Sequence, residues 1–359
     1  MRVLNISLDR EILNSNSRVS ARIAEYGNLV EYLCLVIPYS DDIKVDISDR
    51  VKAYGVKATN KVFGFFKIFF FLKRLLEQEA FDVVTVQDPY FFSIFGLYFS
   101  RTRKMGFELQ IHGLEKFYGI RKIIAGLVIP RAHAIRVVST RLKNMMINDY
   151  GVDEHKISVL PVYVEINAKQ EPRTRRQGSP FIFLTVGRLV PIKNIGMQIR
   201  AMQRICKLFK DAELWVLGDG PERRSLESLA FRLGLERSVR FLGWQSDVDK
   251  YYREVDVFLL TSYSEGWPLV IMEAAKHSLP VIMTDVGSAG ELVIDGKSGI
   301  VIPVGDQSAL ETAMIRIIED YFLAVSYGQA LFDSFSSLPT KEMILDAYLA
   351  NWKRAMNKV

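Results

Sequence analysis

A chain of 359 residues is too long for one hydrophobic core and about right for two. With 49% hydrophobic and 25% charged residues its composition is globular, which excludes a disordered or fibrous protein. The net charge of +6 favours anionic partners such as phosphorylated substrates, acidic membranes or nucleic acid, and residues 1–167, with 23 Lys and Arg against 18 Asp and Glu, hold most of that excess.

The N-terminal MRVLNISLDR reaches Asp9 too soon for a signal-peptide core. The longest apolar stretch, Val62 to Leu72, falls short of the roughly 18 residues of a membrane span and contains Lys67. Cys34 and Cys206 lie in apolar patterns and read as small buried hydrophobes, with no disulfide framework. The expected location is cytoplasmic, with peripheral contact on the inner face of a membrane left open.

Short apolar runs alternate with helical patterns. The first half has Val3–Ser7, Tyr32–Ile37, Val83–Val86, Glu108–His112 and Ala134–Ser139. The second has Phe181–Val186, Leu214–Leu217, Val239–Leu242, Val257–Thr261, Val281–Thr284 and Ile300–Pro303. Such runs suit strands buried on both faces. Ile195, Ile199, Met202, Ile205 and Phe209 recur at helical spacing between them. The alternation predicts parallel sheets with right-handed crossovers.

The polar segment 166–179, INAKQEPRTRRQGS, has linker composition. It divides the chain into domains at 1–167 and 178–340. The tail reads as a helix over 341–359, capped by Thr340, with Met343, Ile344, Ala347, Tyr348 and Ala355 as its apolar stripe. Two doubly wound α/β domains facing a cleft are expected, with ligands beyond the carboxyl ends of the strands.

The strongest motif follows the run Val257–Thr261. It spans Ser264 to Ala274, SEGWPLVIMEA. Gly266 permits a tight turn, and Pro268 suits the first turn of a helix. The amides of Trp267, Leu269 and Val270 with the helix dipole would form an anion site. Glu265 precedes the helix and Glu273 lies within it. One carboxylate could take sugar hydroxyls and the other a ribose diol.

Arg188 and Lys193 leave the end of the run Phe181–Val186, five residues apart. Two cations there could neutralise a departing diphosphate without a metal. Gly218-Asp219-Gly220-Pro221 is a strand-turn-helix junction lacking the third glycine of a dinucleotide fingerprint. Asp247-Val248-Asp249 has the form of a D-x-D metal motif, but it opens a helix, where aspartates cap. Four histidines show no zinc spacing. No metal and no cofactor are expected.

These pieces together resemble the GT-B retaining glycosyltransferases of family 4 type, glycosyl transferases group 1. The segment from Glu265 to Ala274 matches their signature E-G-x-P-L-x-x-x-E-A. Val186-Gly187-Arg188-Leu189-Val190, Gly218 to Pro221, Phe241-Leu242-Gly243-Trp244, Pro280-Val281, Asp285-Val286-Gly287 and Gly299 to Pro303 follow the family in order. The resemblance is strong over about 180–315.

The resemblance implies two Rossmann-like domains about a cleft, with the last helix returning to the first domain. It implies that Glu273 holds the donor ribose. Glu265, Gly266 and the amides after it hold the sugar and phosphates, with Gly187, Gly218 and Gly220 lining the donor. It assigns Arg188 and Lys193 to the leaving group. His112, in His112-Gly113 at a strand end, is similar to the family's cleft-facing histidine. The implied reaction moves a sugar from a UDP or GDP donor, with retention, to a saccharide or lipid-linked acceptor, as in cell-surface polysaccharide or glycolipid synthesis. The loop after the first strand, Ser7 to Ser17, lacks the family's glycines; Asn14, Ser15 and Ser17 could donate instead.

Two other classes share parts of this pattern. A nucleotide-sugar epimerase of this architecture needs further acid/base carboxylates. A non-catalytic nucleotide- or nucleic-acid-binding protein would not need both glutamates with Arg188 and Lys193, and no stacking motif marks nucleic acid. Finally, Lys61 to Arg74 sets six phenylalanines among four bases, with Arg101, Arg103, Lys104, Arg121 and Lys122 beyond. Such a helix either lies in a membrane interface or packs on the sheet with its lysines reaching water.

Overall fold

The computed structural model describes residues 1–58, 60–87, 89–113, 119–164 and 178–357. Of the expected linker 166–179, all but Gly178 and Ser179 lie outside the described residues. The chain forms two compact units, Met1–Tyr163 with Pro339–Val359, and Val164–Leu338.

In the first unit β1 (Arg2–Ile6) leads through α1 (Arg18–Gly27) to β2 (Tyr32–Tyr39). A hairpin of β3 (Ile43–Ser48) and β4 (Val51–Lys57) follows, then α2 (Lys61–Gln78), β5 (Val83–Val86), α3 (Ser93–Arg103) and β6 (Gly106–Ile111). Next come α4 (Ile120–Val128), β7 (Ala134–Val137), α5 (Thr140–Tyr150) and β8 (Ile157–Val159). The strands lie in the order β3-β4-β2-β1-β5-β6-β7-β8, and only β3 runs antiparallel to its neighbour. The strands β3, β4 and β8 were not among the expected runs. At the edge, β3 buries no residue fully, and its sequence IKVDIS carries a charged or polar residue at every second position and no apolar run.

The second unit alternates β9 (Phe181–Val186), α6 (Ile195–Leu208), β10 (Ala212–Leu217), α7 (Arg223–Arg232), β11 (Val239–Gly243), α8 (Asp249–Glu254) and β12 (Val257–Leu260). It continues with α9 (Leu269–Lys276), β13 (Val281–Thr284), β14 (Ile300–Ile302), α10 (Gln307–Glu319) and α11 (Tyr321–Ser336). Its strands are parallel, in the order β11-β10-β9-β12-β13-β14. This is the doubly wound order whose direction reverses between the first and fourth strands. Phe183, Leu214, Val257 and Ile282 are fully buried against Ile199, Met202 and Ile205 of α6 and Leu310 and Met314 of α10. Each fully buried apolar side chain of this size contributes about 1.5–3 kcal/mol relative to exposure.

The tail, α12 (Lys341–Met356), is capped by Thr340, whose side chain accepts from the Met343 amide. It belongs to the first unit and packs on β6 and β7. Ile344, Trp352 and Ala355 are buried, but Met343, expected in the apolar stripe, faces solvent. Trp352 and Ala355 join the core of the first unit, and a polar network holds the helix as well. Asn351 Nδ2 donates to Glu108 Oε1 at 2.5 Å and Trp352 Nε1 to Glu108 Oε2 at 3.0 Å. Thr85 Oγ1 also donates to Glu108, and Arg136 Nε lies 3.5 Å from it. Glu108 is fully buried, so these partners replace water around its carboxyl. No helix among the described residues is long and apolar enough to cross a membrane.

Candidate functional site

In the second unit, loops leaving β9 and β12 diverge where the strand order reverses, the place such sheets offer to ligands. The loop after β9 carries Arg188 and turns once over Pro191–Lys193. The loop after β12 carries Ser262 and Glu265. Lys193 Nζ donates to Glu265 Oε1 at 2.5 Å, and Ser262 Oγ donates to the same oxygen at 2.6 Å. Glu265 is about one-tenth exposed. The two loops are also tied through their backbones. The Tyr263 amide donates to the Ile192 carbonyl at 2.8 Å, and Thr261 Oγ1 reaches the carbonyls of Lys193 and Asn194 at 3.2 and 3.1 Å. Gln198, buried on α6, donates to Thr261 Oγ1 at 2.8 Å. Asn194 takes the left-handed conformation, with φ of 49°, to start α6 directly after Lys193.

Arg188 stands on the same loop, exposed, and among the described residues no carboxylate pairs with its guanidinium. Its backbone neighbours are fixed by the loop after β10. The Leu189 amide donates to the Asp219 carbonyl at 2.9 Å, and the Leu189 carbonyl accepts from the Glu222 amide at 3.0 Å. A Cβ on Gly218, where φ is +125°, would lie 1.9 Å from the Gly187 carbonyl oxygen. One on Gly220 would lie 2.4 Å from that of Leu189. Gly218 and Gly220 therefore have a packing reason to be glycine: two backbones meet there.

The segment after Glu265 turns at Gly266 and enters α9 at Leu269, so Pro268 occupies the N-cap position, one residue before the first turn where it was expected. Trp267 is nearly buried, and its Nε1 donates to Met272 Sδ at 3.0 Å. Gly287, with φ of +56°, backs this turn: a Cβ there would come within 2.8 Å of Pro268 Cδ. The early amides of α9, including Leu269 and Val270, point beyond the helix start. One helical turn on, the half-buried Glu273 receives the Tyr252 hydroxyl on Oε2 at 3.0 Å. Burial, and then the Glu273 charge, push that hydroxyl well above its ordinary pKa, so it remains a donor.

Asp247 and Asp249 lie at the start of α8, the helix that carries Tyr252. Asp247 Oδ1 accepts from the Asp249 amide, and Asp249 opens α8. Asp249 lies 2.7 Å from Arg253, 3.4 Å from Lys276 and 2.9 Å from His277. Burial works to raise its pKa, but the His277 and Lys276 contacts outweigh it and the net shift is downward. Its oxygens are thus engaged by cations and an imidazole.

The second unit brings Lys193 and Glu265 into contact, with Arg188 and Gly187 on the same loop and Glu273 on the adjoining helix. His112 belongs to the first unit, exposed just past β6. Sequence reasoning missed Ser262, Thr261, Gln198 and Tyr252. The run Thr261-Ser262-Tyr263-Ser264, polar and directly after a buried strand, signalled the first two; Tyr252 in α8 gave no signal.

A model of glycosyl transferases group 1 matches residues 167–331, and one of glycosyltransferase family 4 matches 24–167. The lipopolysaccharide core biosynthesis glycosyltransferase LpsE of Rhizobium meliloti (strain 1021) is 32% identical over 168 residues, 47% of this chain and 48% of that protein. The UDP-Gal:alpha-D-GlcNAc-diphosphoundecaprenol alpha-1,3-galactosyltransferase of Escherichia coli is 28% identical over 222 residues, 58% of this chain and 57% of that protein. The matches span about half the length of these curated relatives. Among solved structures, sucrose-phosphate synthase from Thermosynechococcus elongatus superposes with a TM-score of 0.82 at 18% identity over all of both chains. Anabaena HepE in complex with UDP and glucose superposes with a TM-score of 0.77 at 16% identity, over 98% of this chain and 99% of its own. These likenesses are of fold.

Proposed function

The chain belongs to the family-4 type of GT-B glycosyltransferases, the glycosyl transferases group 1, and on that premise we propose that it transfers a sugar from a nucleoside diphosphate donor, with retention and without a metal. The observation that carries this reading is the meeting of Lys193, Ser262 and Glu265 at the strand-order reversal, beside Arg188 and the start of α9. An anionic diphosphate suits that place: the loop after β9 carries two cations, and the N-terminus of α9 lies at the same end of the parallel sheet.

In this reading the bond from the anomeric carbon to the diphosphate oxygen breaks, and the charge left on the diphosphate is taken by Arg188, Lys193 and the amides after Gly266. The acceptor hydroxyl attacks on the face the diphosphate leaves, and its proton passes to a phosphate oxygen. Glu265 accepts sugar hydroxyls as Lys193 turns to phosphate. Glu273, anchored by Tyr252, holds the ribose diol. His112 enters by resemblance alone, as a group at the transferred sugar.

The base is uracil or guanine; HepE, a fold neighbour, binds UDP and UDP-glucose. The acceptor is a saccharide or a lipid-linked saccharide in cell-surface polysaccharide or glycolipid synthesis, reached from the cytoplasmic side. Two curated relatives bear names with diphosphoundecaprenol acceptors. A panel of nucleotide sugars tests the reading by thermal shift and by hydrolysis or transfer. Stabilisation by one nucleoside diphosphate with turnover of its sugar is expected; no response to any donor would overturn it.

A further inference from the structure

The helices α2, α3 and α4 lie side by side on one face of the first sheet. Phe107 of β6 approaches Gly96 of α3, while the next residue, Glu108, bonds to α12, so α3 and α12 cover opposite faces. Phe65 and Phe69 of α2 pack inward: both rings meet Phe95 of α3 at a tilt, and Phe69 stacks on Phe99. The inner phenylalanines of α2, half-buried, thus pack on the unit itself.

The outer ones face water. Phe63, Phe66 and Phe70 recur at helical spacing and are 77%, 54% and 62% exposed. Tyr98 on α3 is half exposed, and α4 presents Ile120, Ile123 and Leu127 at the same spacing, with Ile123 73% exposed. Exposed apolar side chains on three neighbouring helices mark an interaction surface.

Its surroundings are basic. The three helices carry eight Lys and Arg against one carboxylate, Glu77. Lys67 is matched by Asp42 at 2.6 Å, but Lys73, Arg74, Arg101, Arg103 and Lys122 are exposed. We propose that this face docks on an anionic phospholipid bilayer, with the outer phenylalanines, Ile123 and Leu127 entering the interface and the cations meeting the headgroups. A second copy of the chain fits less well, because a two-fold contact of this face with itself would set cation against cation. The proposal deepens the reading of a lipid-linked acceptor. It is tested with neither donor nor acceptor present, so vesicle binding and transfer to a soluble acceptor fail separately.

The test is co-sedimentation of the full chain with vesicles of phosphatidylglycerol and phosphatidylethanolamine, against vesicles of phosphatidylcholine. Salt-sensitive binding to the first alone is expected. F63S/F66S/F70S should abolish it with an unchanged melting curve, and K73E/R74E should weaken partitioning by roughly thirtyfold or more. I123S/L127S on α4 gives the same test should the α2 variant not fold. Absence of binding to the anionic vesicles, binding that survives these variants, or a dimer in sedimentation velocity that they dissolve, would overturn the proposal.

Discussion

Lys193 and Glu265, 72 residues apart in the chain, meet at 2.5 Å, and Ser262 donates to the same carboxylate oxygen. The pair holds a cation at the end of β9 with its charge balanced before any donor arrives. K193A and R188A should each lower turnover by about a hundredfold or more, since each removes a preorganised group from the leaving diphosphate. Donor affinity should fall much less. Turnover and nucleotide titration measured together check this; equal losses in both would place the two cations in ground-state binding only.

Glu273→Gln should weaken nucleoside diphosphate binding by about 1.5–3 kcal/mol, the range for a hydrogen bond to a charged group. Tyr252→Phe should weaken it less, because it frees the carboxylate to turn without removing it. Calorimetry with the free nucleotide measures both, and an unchanged affinity in E273Q would count against the ribose role.

Chelators should leave turnover unchanged, and the product should keep the anomeric configuration of the donor. Strict dependence on a divalent ion, or inversion seen by NMR, would each refute that part of the proposal.

Glu108→Ala should destabilise the first unit by about 3–5 kcal/mol, because it leaves the buried Arg136 without its carboxylate and strips Asn351 and Trp352 of their acceptor. Deleting residues 341–359 should expose the same surface and increase binding of a hydrophobic dye. Denaturant unfolding measures the first; a loss within about 1 kcal/mol would mean that the network is not needed.

His133 gives a pH test of the same unit. Its Nδ1 accepts the Phe107 amide at 3.1 Å, and burial, then Lys156 and Arg101, lower its pKa from 6.5. A group depressed in the folded state stabilises above its unfolded pKa and loses that contribution as pH falls through the folded value. Stability should therefore decline from about pH 6.5 downward. His133→Asn keeps an acceptor that does not titrate, so its melting temperature should fall less over the same range. Parallel acid profiles for the two proteins would contradict this.

The central strands were legible because burial on both faces leaves an apolar run: β5, β9 and β13 have the bounds that their sequences suggest. The edge of the first sheet was not, because β3 meets water on alternate residues. Glu265, Glu273, Arg188 and Lys193 were legible as a motif, but not the Lys193–Glu265 contact, which depends on how two loops are clamped. Tyr252 and Glu108 were hidden for a shared reason. Each owes its place to partners distant in sequence, and a tyrosine or glutamate inside an element carries no mark of them.

Glu108 acquires its partner Asn351 only after 243 further residues. On the ribosome, β6 is therefore made long before the helix that satisfies it, and the whole second unit emerges in the interval. That unit has every contact of its own sheet available and can fold first, while the earlier-made one waits with a carboxyl group open to water. The part translated first is then the part finished last, and a chain stalled before residue 351 would release a folded second unit attached to an incomplete first one.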